Sequence, residues 1–129
     1  MIRPKSFRIG EILFRKLSTI LKTFPVIAEE GKDGTVFPFC IYKRTSLYAD
    51  NTKDRYDDEE TATFDLSIVT NNYPEGIELV EKICDEILHW RIKLDDNAEV
   101  YDINISGGQE DFVNNCFVQK LFLTFSISK

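Results

Sequence analysis

The stretch TATFDLSIVTNNYPEGIELVEKICDEILHW, residues Thr61–Trp90, changes its hydrophobic period part-way along, and that change decides the fold class. In its first part Ala62, Phe64, Leu66 and Ile68 alternate with Thr63, Asp65, Ser67 and Val69, which gives an extended segment one apolar face. After Asn71-Asn72-Tyr73-Pro74 the apolar positions become Ile77, Val80, Ile83, Cys84, Ile87 and Leu88, one stripe of a helix. A strand with one apolar face that runs into a helix with one apolar stripe predicts a two-layer α+β domain.

Working outward, Phe117, Gln119, Leu121, Leu123, Phe125 and Ile127 alternate through a long last strand. Its other face carries Val118, Lys120, Phe122, Thr124 and Ser126, and the extra Phe122 and Val118 are expected to meet another subunit. Tyr101, Ile103 and Ile105 predict a strand between turns at Leu94–Asn97 and Ser106-Gly107-Gly108-Gln109. Toward the N-terminus, residues 7–24 read as an amphipathic helix carrying Ile9, Ile12, Leu13, Leu17, Ile20, Leu21 and Phe24, with Ser6 as N-cap and Pro25 as its end. Val26–Glu29 is expected to form a short strand, Gly31-Lys32-Asp33-Gly34 a turn, and Val36–Ser46 a strand in which Pro38 marks an edge, a start or a bulge. Residues 47–60 form the one long polar segment, expected as a loop or a protruding hairpin arm. The expected fold is thus a single α+β domain over residues 1–129, with a polar loop or arm at 47–61. Its order is α-β-β-β-α-β-β, with two helices packed on a mostly antiparallel sheet of four to five strands.

Composition fits this reading. A 129-residue chain that is 43% apolar and 29% charged is an ordinary globular domain. Ten Phe and five Tyr against one Trp and one Met point to an aromatic, sheet-rich core. A net charge of −6 argues against general affinity for phosphate backbones. The charge is uneven. Residues 1–24 carry Arg3, Lys5, Arg8, Arg15, Lys16 and Lys22 against Glu11, whereas Asp54, Asp57, Asp58, Glu59 and Glu60 crowd around Arg55. No apolar run approaches the roughly 20 residues that span a bilayer. Ile12-Leu13-Phe14, cut short by Arg15-Lys16, is no secretory signal, so a cytosolic protein without a membrane partner is expected.

The residue types that carry chemistry are sparse. Cys40, Cys84 and Cys116 lie far apart and lack metal-ligand spacing, so they read as small buried hydrophobes in a reducing compartment. His89, the only histidine, follows a helix end and has no neighbour in sequence that would make it a base. The Asp57–Glu60 run lacks the spaced ligands and glycine of a calcium loop. Asp95-Asp96 and Glu110-Asp111 fall in turn signals. Gly107-Gly108 has neither GxGxxG spacing nor a P-loop lysine. We expect no enzyme, and no catalytic, cofactor or metal site.

The order of elements resembles the tail-completion proteins of long-tailed phages, also called tail terminators or head–tail joining proteins, over nearly the whole chain. Four features carry the resemblance: the N-terminal helix with its short loop and strand; the Pro38-Phe39-Cys40-Ile41-Tyr42 strand; the alternation Phe64-Asp65-Leu66-Ser67-Ile68 running into the helix from Ile77 to Leu88; and the aromatic last strand, Phe117–Ile127. The acidic 54–60 segment and the Gly107-Gly108 turn depart from the family pattern. The resemblance implies a structural subunit of a homo-oligomeric ring, typically hexameric, assembled in the cytoplasm and carried in the virion tail. Such a ring caps the tail tube, joins it to the head connector and meets DNA only as passing cargo. Asp54, Asp57, Asp58, Glu59 and Glu60 are then candidates for an oligomer arm or lumen, and Arg8, Arg15, Lys16 and Phe122 for an interface. Acidic residues crowded at a lumen would repel one another, so salt would favour the ring; paired with a neighbour's basic helix face, they would make salt weaken it. The competing reading is a non-enzymatic, ferredoxin-like α+β binding or regulatory module.

Overall fold

The computed structural model describes residues 5–25, 37–49, 59–95 and 98–128. A short 3-10 helix, Lys5–Arg8, leads into α1 (Ile9–Leu17). Three strands follow: β1 (Lys22–Pro25), β2 (Phe39–Ala49) and β3 (Glu59–Thr70). Next come α2 (Tyr73–Ile87), β4 (Lys93–Asp95), β5 (Ala98–Val113) and β6 (Cys116–Ser128). They form one six-stranded sheet in the order β1-β2-β3-β6-β5-β4, one strand more than the upper expectation. Among the described residues every pairing is antiparallel except β1 with β2.

The period-two segment becomes β3, inside the sheet between β2 and β6. Its register sets Phe64 opposite Leu123 and Ala62 opposite Phe125. One sheet face therefore presents Ala62, Phe64, Leu66 and Ile68 beside Leu121, Leu123, Phe125 and Ile127. Against that face pack Ile9, Leu13 and Leu17 of α1 and Ile83 and Ile87 of α2, completing one buried core. Phe64, Leu66, Ile83, Ile87, Leu121 and Phe125 all belong to it, as the two periodicities predict. The first turn of α2 is held by Asn72, whose side chain accepts the Glu75 N–H at 3.1 Å, while Pro74 occupies a first-turn position where it forfeits no helical bond. Gly76 lets this turn sit on the sheet, since a Cβ there would lie 3.2 Å from the Thr70 hydroxyl.

Several expectations are corrected. The first helix stops at Leu17, not at residue 24. Ser18–Ile20 turn, Thr19 Oγ1 donates to the Lys16 carbonyl at 2.7 Å, and Thr23 Oγ1 donates to the Leu21 carbonyl. These hydroxyls compete for backbone acceptors, and the residue before Pro25 is kept out of the helical region, so Lys22–Pro25 extends and pairs with Phe39–Tyr42. The expected strand at 26–29 and turn at 31–34 lie outside the described residues. Ser6 is not the N-cap. It lies within the 3-10 helix, and α1 starts after Arg8 without a side-chain cap. Pro38 stands immediately before β2, the strand-start position among those expected.

The segment expected as a loop or arm at 47–61 begins and ends in strand, and its residues 50–58 lie outside the described residues. Leu47, Tyr48 and Ala49 pair with Ala62, Thr61 and Glu60 as the ends of β2 and β3. Nor do Ser106–Gln109 turn. β5 runs straight through them with register shifts at Val100/Asp102 and Ile105/Gly107, and Glu110 and Asp111 sit on the strand. Both glycines serve close approach: a Cβ on Gly108 would stand 3.1 Å from the Lys120 carbonyl oxygen, and one on Gly107 would stand 3.4 Å from the Phe122 ring. The hairpin turns instead at Asn114 and Asn115, whose φ values of 53° and 62° suit asparagine. The turn expected at 94–97 contains part of β4, since Leu94 and Asp95 are strand residues.

Candidate assembly surfaces

The acidic segment divides at the start of β3. Asp54, Asp57 and Asp58 lie outside the described residues, and Glu59 enters the sheet by pairing with Ser128. Glu60 is 0% exposed, and its Oε1 accepts the Ser6 backbone N–H at 2.9 Å. It ties the 3-10 helix to the sheet and is no part of an exposed arm or lumen surface. Period-two alternation through Ala62 places Glu60 on the inward face, a signal that its four acidic neighbours obscured.

The basic candidates separate as well. Arg8 is exposed and bonds Glu11 at 3.1 Å, an arrangement that adds little to stability in water. Arg15 and Lys16 occupy the last turn of α1, where cations suit the helix dipole. They border an open groove of about 300 Å³ that is also lined by Ile12, Arg91, Ile92 and Lys93. Four cations thus surround two isoleucines, although the chain as a whole is acidic. Lys16 Nζ also lies 5.6 Å from the centroid of the Trp90 ring. Arg91 and Lys93 follow α2 and carried no signal in the sequence, because only the tertiary fold brings them to α1.

Phe122 lies on the sheet face away from the helices, half-buried and paired with Asp65 and Gly107. On that face, where β2 begins and β3 ends, Phe39 and Val69 form a second apolar cluster with Phe24, Phe37, Ile41, Cys116 and Val118 around them.

Burial pushes the Cys40 thiol up to about 11, against a smaller downward pull from the Thr23 hydroxyl 3.3 Å away. Cys84 and Cys116 are partly buried, and His89 Nδ1 lies 2.8 Å from the Asp85 carbonyl. Among the described residues no group of three or more His, Cys, Asp or Glu side chains could hold a metal ion. Among the described residues no helix is long and apolar enough to cross a membrane.

At the N-terminus of α2, the Tyr73 hydroxyl and the Gln119 amide both donate to Glu110 Oε2, while the Tyr73 ring packs edge-on against Phe117. The bond from Tyr73 is the main cause holding Glu110 below the usual carboxylate range, and the same bond raises the Tyr73 phenol. The lowered Glu110 pKa means that its contribution to stability is present above the ordinary carboxylate pKa and is lost as pH falls through the lowered value. For the raised Tyr73, the contribution is present below the ordinary phenol pKa and is lost as pH rises through the raised one. In Glu110→Gln, Tyr73 should titrate closer to an ordinary phenol, read by NMR on ring-labelled tyrosine. An unmoved Tyr73 titration would contradict the assignment.

No protein-family model matches the sequence, and no curated protein matches it. Solved structures do. A chain described as "Virion of native gene transfer agent (GTA) particle" aligns over 97% of this chain and 90% of its own length, with 9% identity and a TM-score of 0.52. The likeness is one of fold. A second solved chain aligns over 96% of this chain and 89% of its own length, with 13% identity and a TM-score of 0.50.

Proposed function

We propose that this chain is a structural protein of a phage-like particle: a tail-terminator-type subunit that closes into a ring, caps the tail tube and joins it to the head connector. The carrying observation is the near full-length likeness of fold to a chain from a gene transfer agent virion. The order of sequence elements supports the same reading independently. A ring of identical subunits needs heterologous contacts, in which one patch meets a different patch on the neighbour and rotation closes the circle. The chain offers different surfaces for this purpose: the basic groove beside α1, the apolar cluster on the outer sheet face, and the side of β5 that the short β4 leaves uncovered. A ferredoxin-like module finds less support, because the order α-β-β-β-α-β-β-β does not contain its β-α-β-β-α-β arrangement.

Sedimentation velocity across a salt series, with and without the cognate tail-tube protein, tests this reading. The expected result is weak self-association alone and a closed oligomer once tube protein is present. Salt should weaken that oligomer, since the groove favours opposite charges at the seam and screening acts over about 8 Å at physiological ionic strength. A monomer under every condition would sink the ring and favour a binding module.

A further inference from the structure

The groove holding Arg15, Lys16, Arg91 and Lys93 has no carboxylate in ion-pair contact with any of its four cations among the described residues, and its apolar lining is the half-buried Ile12 and the edge of the core residue Ile92. A complementary surface begins beside it on the same molecule, where Leu88 and Arg91 border a common pocket. Along the outer side of α2, Glu78, Glu81 and Asp85 are exposed at helical spacing, and the stripe ends at Leu88, which is 68% exposed. None of these three carboxylates makes an ion pair among the described residues.

Lys82 stands four residues after Glu78, a spacing that favours the helix, but two further observations show that the C-terminal part of the stripe is not arranged for the stability of its own helix. The last turn of α2 has no basic residue and carries Asp85 and Glu86, where the helix dipole disfavours negative charge. Like charges at Glu81 and Asp85, four residues apart, repel one another. The local field registers on Cys84 between them: after burial, Asp85 and then Glu81 are the next causes that raise its thiol. A cationic partner would relieve both penalties, and an exposed leucine beside the carboxylates calls for an apolar floor between the cations.

We infer that the basic groove of one subunit receives the Glu78–Glu81–Asp85–Leu88 stripe of a second copy of this chain. Leu88 lies against Ile12 and Ile92, and the carboxylates pair with Arg15, Lys16, Arg91 and Lys93. The inference rests on the ring reading and supplies one of its seams. It selects a protein partner over a nucleic acid, because a phosphate backbone gains nothing from two isoleucines on the floor and the chain as a whole is acidic.

Charge exchange tests it. Arg91→Glu with Lys93→Glu reverses the groove, and Glu81→Lys with Asp85→Lys reverses the stripe. All four positions are exposed, and thermal melts by circular dichroism would show that each variant retains its fold. By sedimentation velocity with tube protein present, each pair alone should weaken self-association by about tenfold or more. A chain carrying all four changes, or an equimolar mixture of the two variants, should associate again, because both charges have been exchanged. Folded variants that associate as the unaltered chain does would overturn the seam and leave the ring standing. Loss in both single variants without recovery in the combined one would also overturn it, as would a groove variant that loses only affinity for duplex DNA. If the unaltered chain never associates, the ring reading fails first and this seam with it.

Discussion

Phe64→Ala and Phe125→Ala are each expected to destabilise the domain by about 3–5 kcal/mol, as loss of a buried aromatic ring and the cavity left behind both contribute. The two rings meet at 5.6 Å between centroids in an edge-to-face arrangement, and Phe125 is wholly buried between the sheet and the helices. Tyr42, whose ring lies 6.4 Å from that of Phe64, cannot fill the vacated space without leaving its own place on β2. Denaturant unfolding measures the effect directly. Losses under about 1 kcal/mol in both variants, the scale of ordinary surface substitutions, would overturn the assignment of this sheet face to the core.

The second large effect is expected at Glu60. Glu60→Ala leaves the Ser6 N–H buried without its acceptor, which costs about 1–3 kcal/mol before the lost packing is counted. Glu60→Gln keeps a carbonyl oxygen that can accept the same bond and should cost clearly less. Thermal unfolding of the two variants separates these cases. If alanine proves as harmless as glutamine, the bond does not anchor the N-terminal 3-10 helix.

The contrast between these two sites shows what the sequence could and could not reveal. Phe64 and Phe125 are legible because period-two alternation on β3 and β6 and the 3.6-residue stripe of α2 each point to a single apolar face. Those patterns suffice for the α+β class, the antiparallel core and six of its members. They fail where a side chain answers to a neighbour distant in sequence. Glu60 looked like one more solvated carboxylate, yet strand alternation turns it inward to meet Ser6. Gly107-Gly108 looked like a turn, but the glycines are there for close approach to the Lys120 carbonyl and the Phe122 ring, while Asn114-Asn115 carries the left-handed backbone. Apolar spacing through Ile20, Leu21 and Phe24 carries the expected first helix past its end at Leu17, whereas hydroxyl bonds from Thr19 and Thr23 accompany the turn into β1.

The candidate surfaces follow the same rule. Arg15 and Lys16 could be singled out from the basic N-terminal stretch, but the groove exists only because the fold brings Arg91 and Lys93, from the segment after α2, beside α1. Arg8, equally basic in sequence, is engaged with Glu11 and borders no part of it. An interface built from two distant segments leaves no local pattern, so its partner has to be sought on the folded surface.

Electron microscopy of cognate tail-tube protein polymerised with and without this chain tests the tail-terminator function most directly. With the chain present, tubes should be shorter on average and carry a closed ring of it at one end. Tubes of unchanged length with no added density at either end would contradict that function.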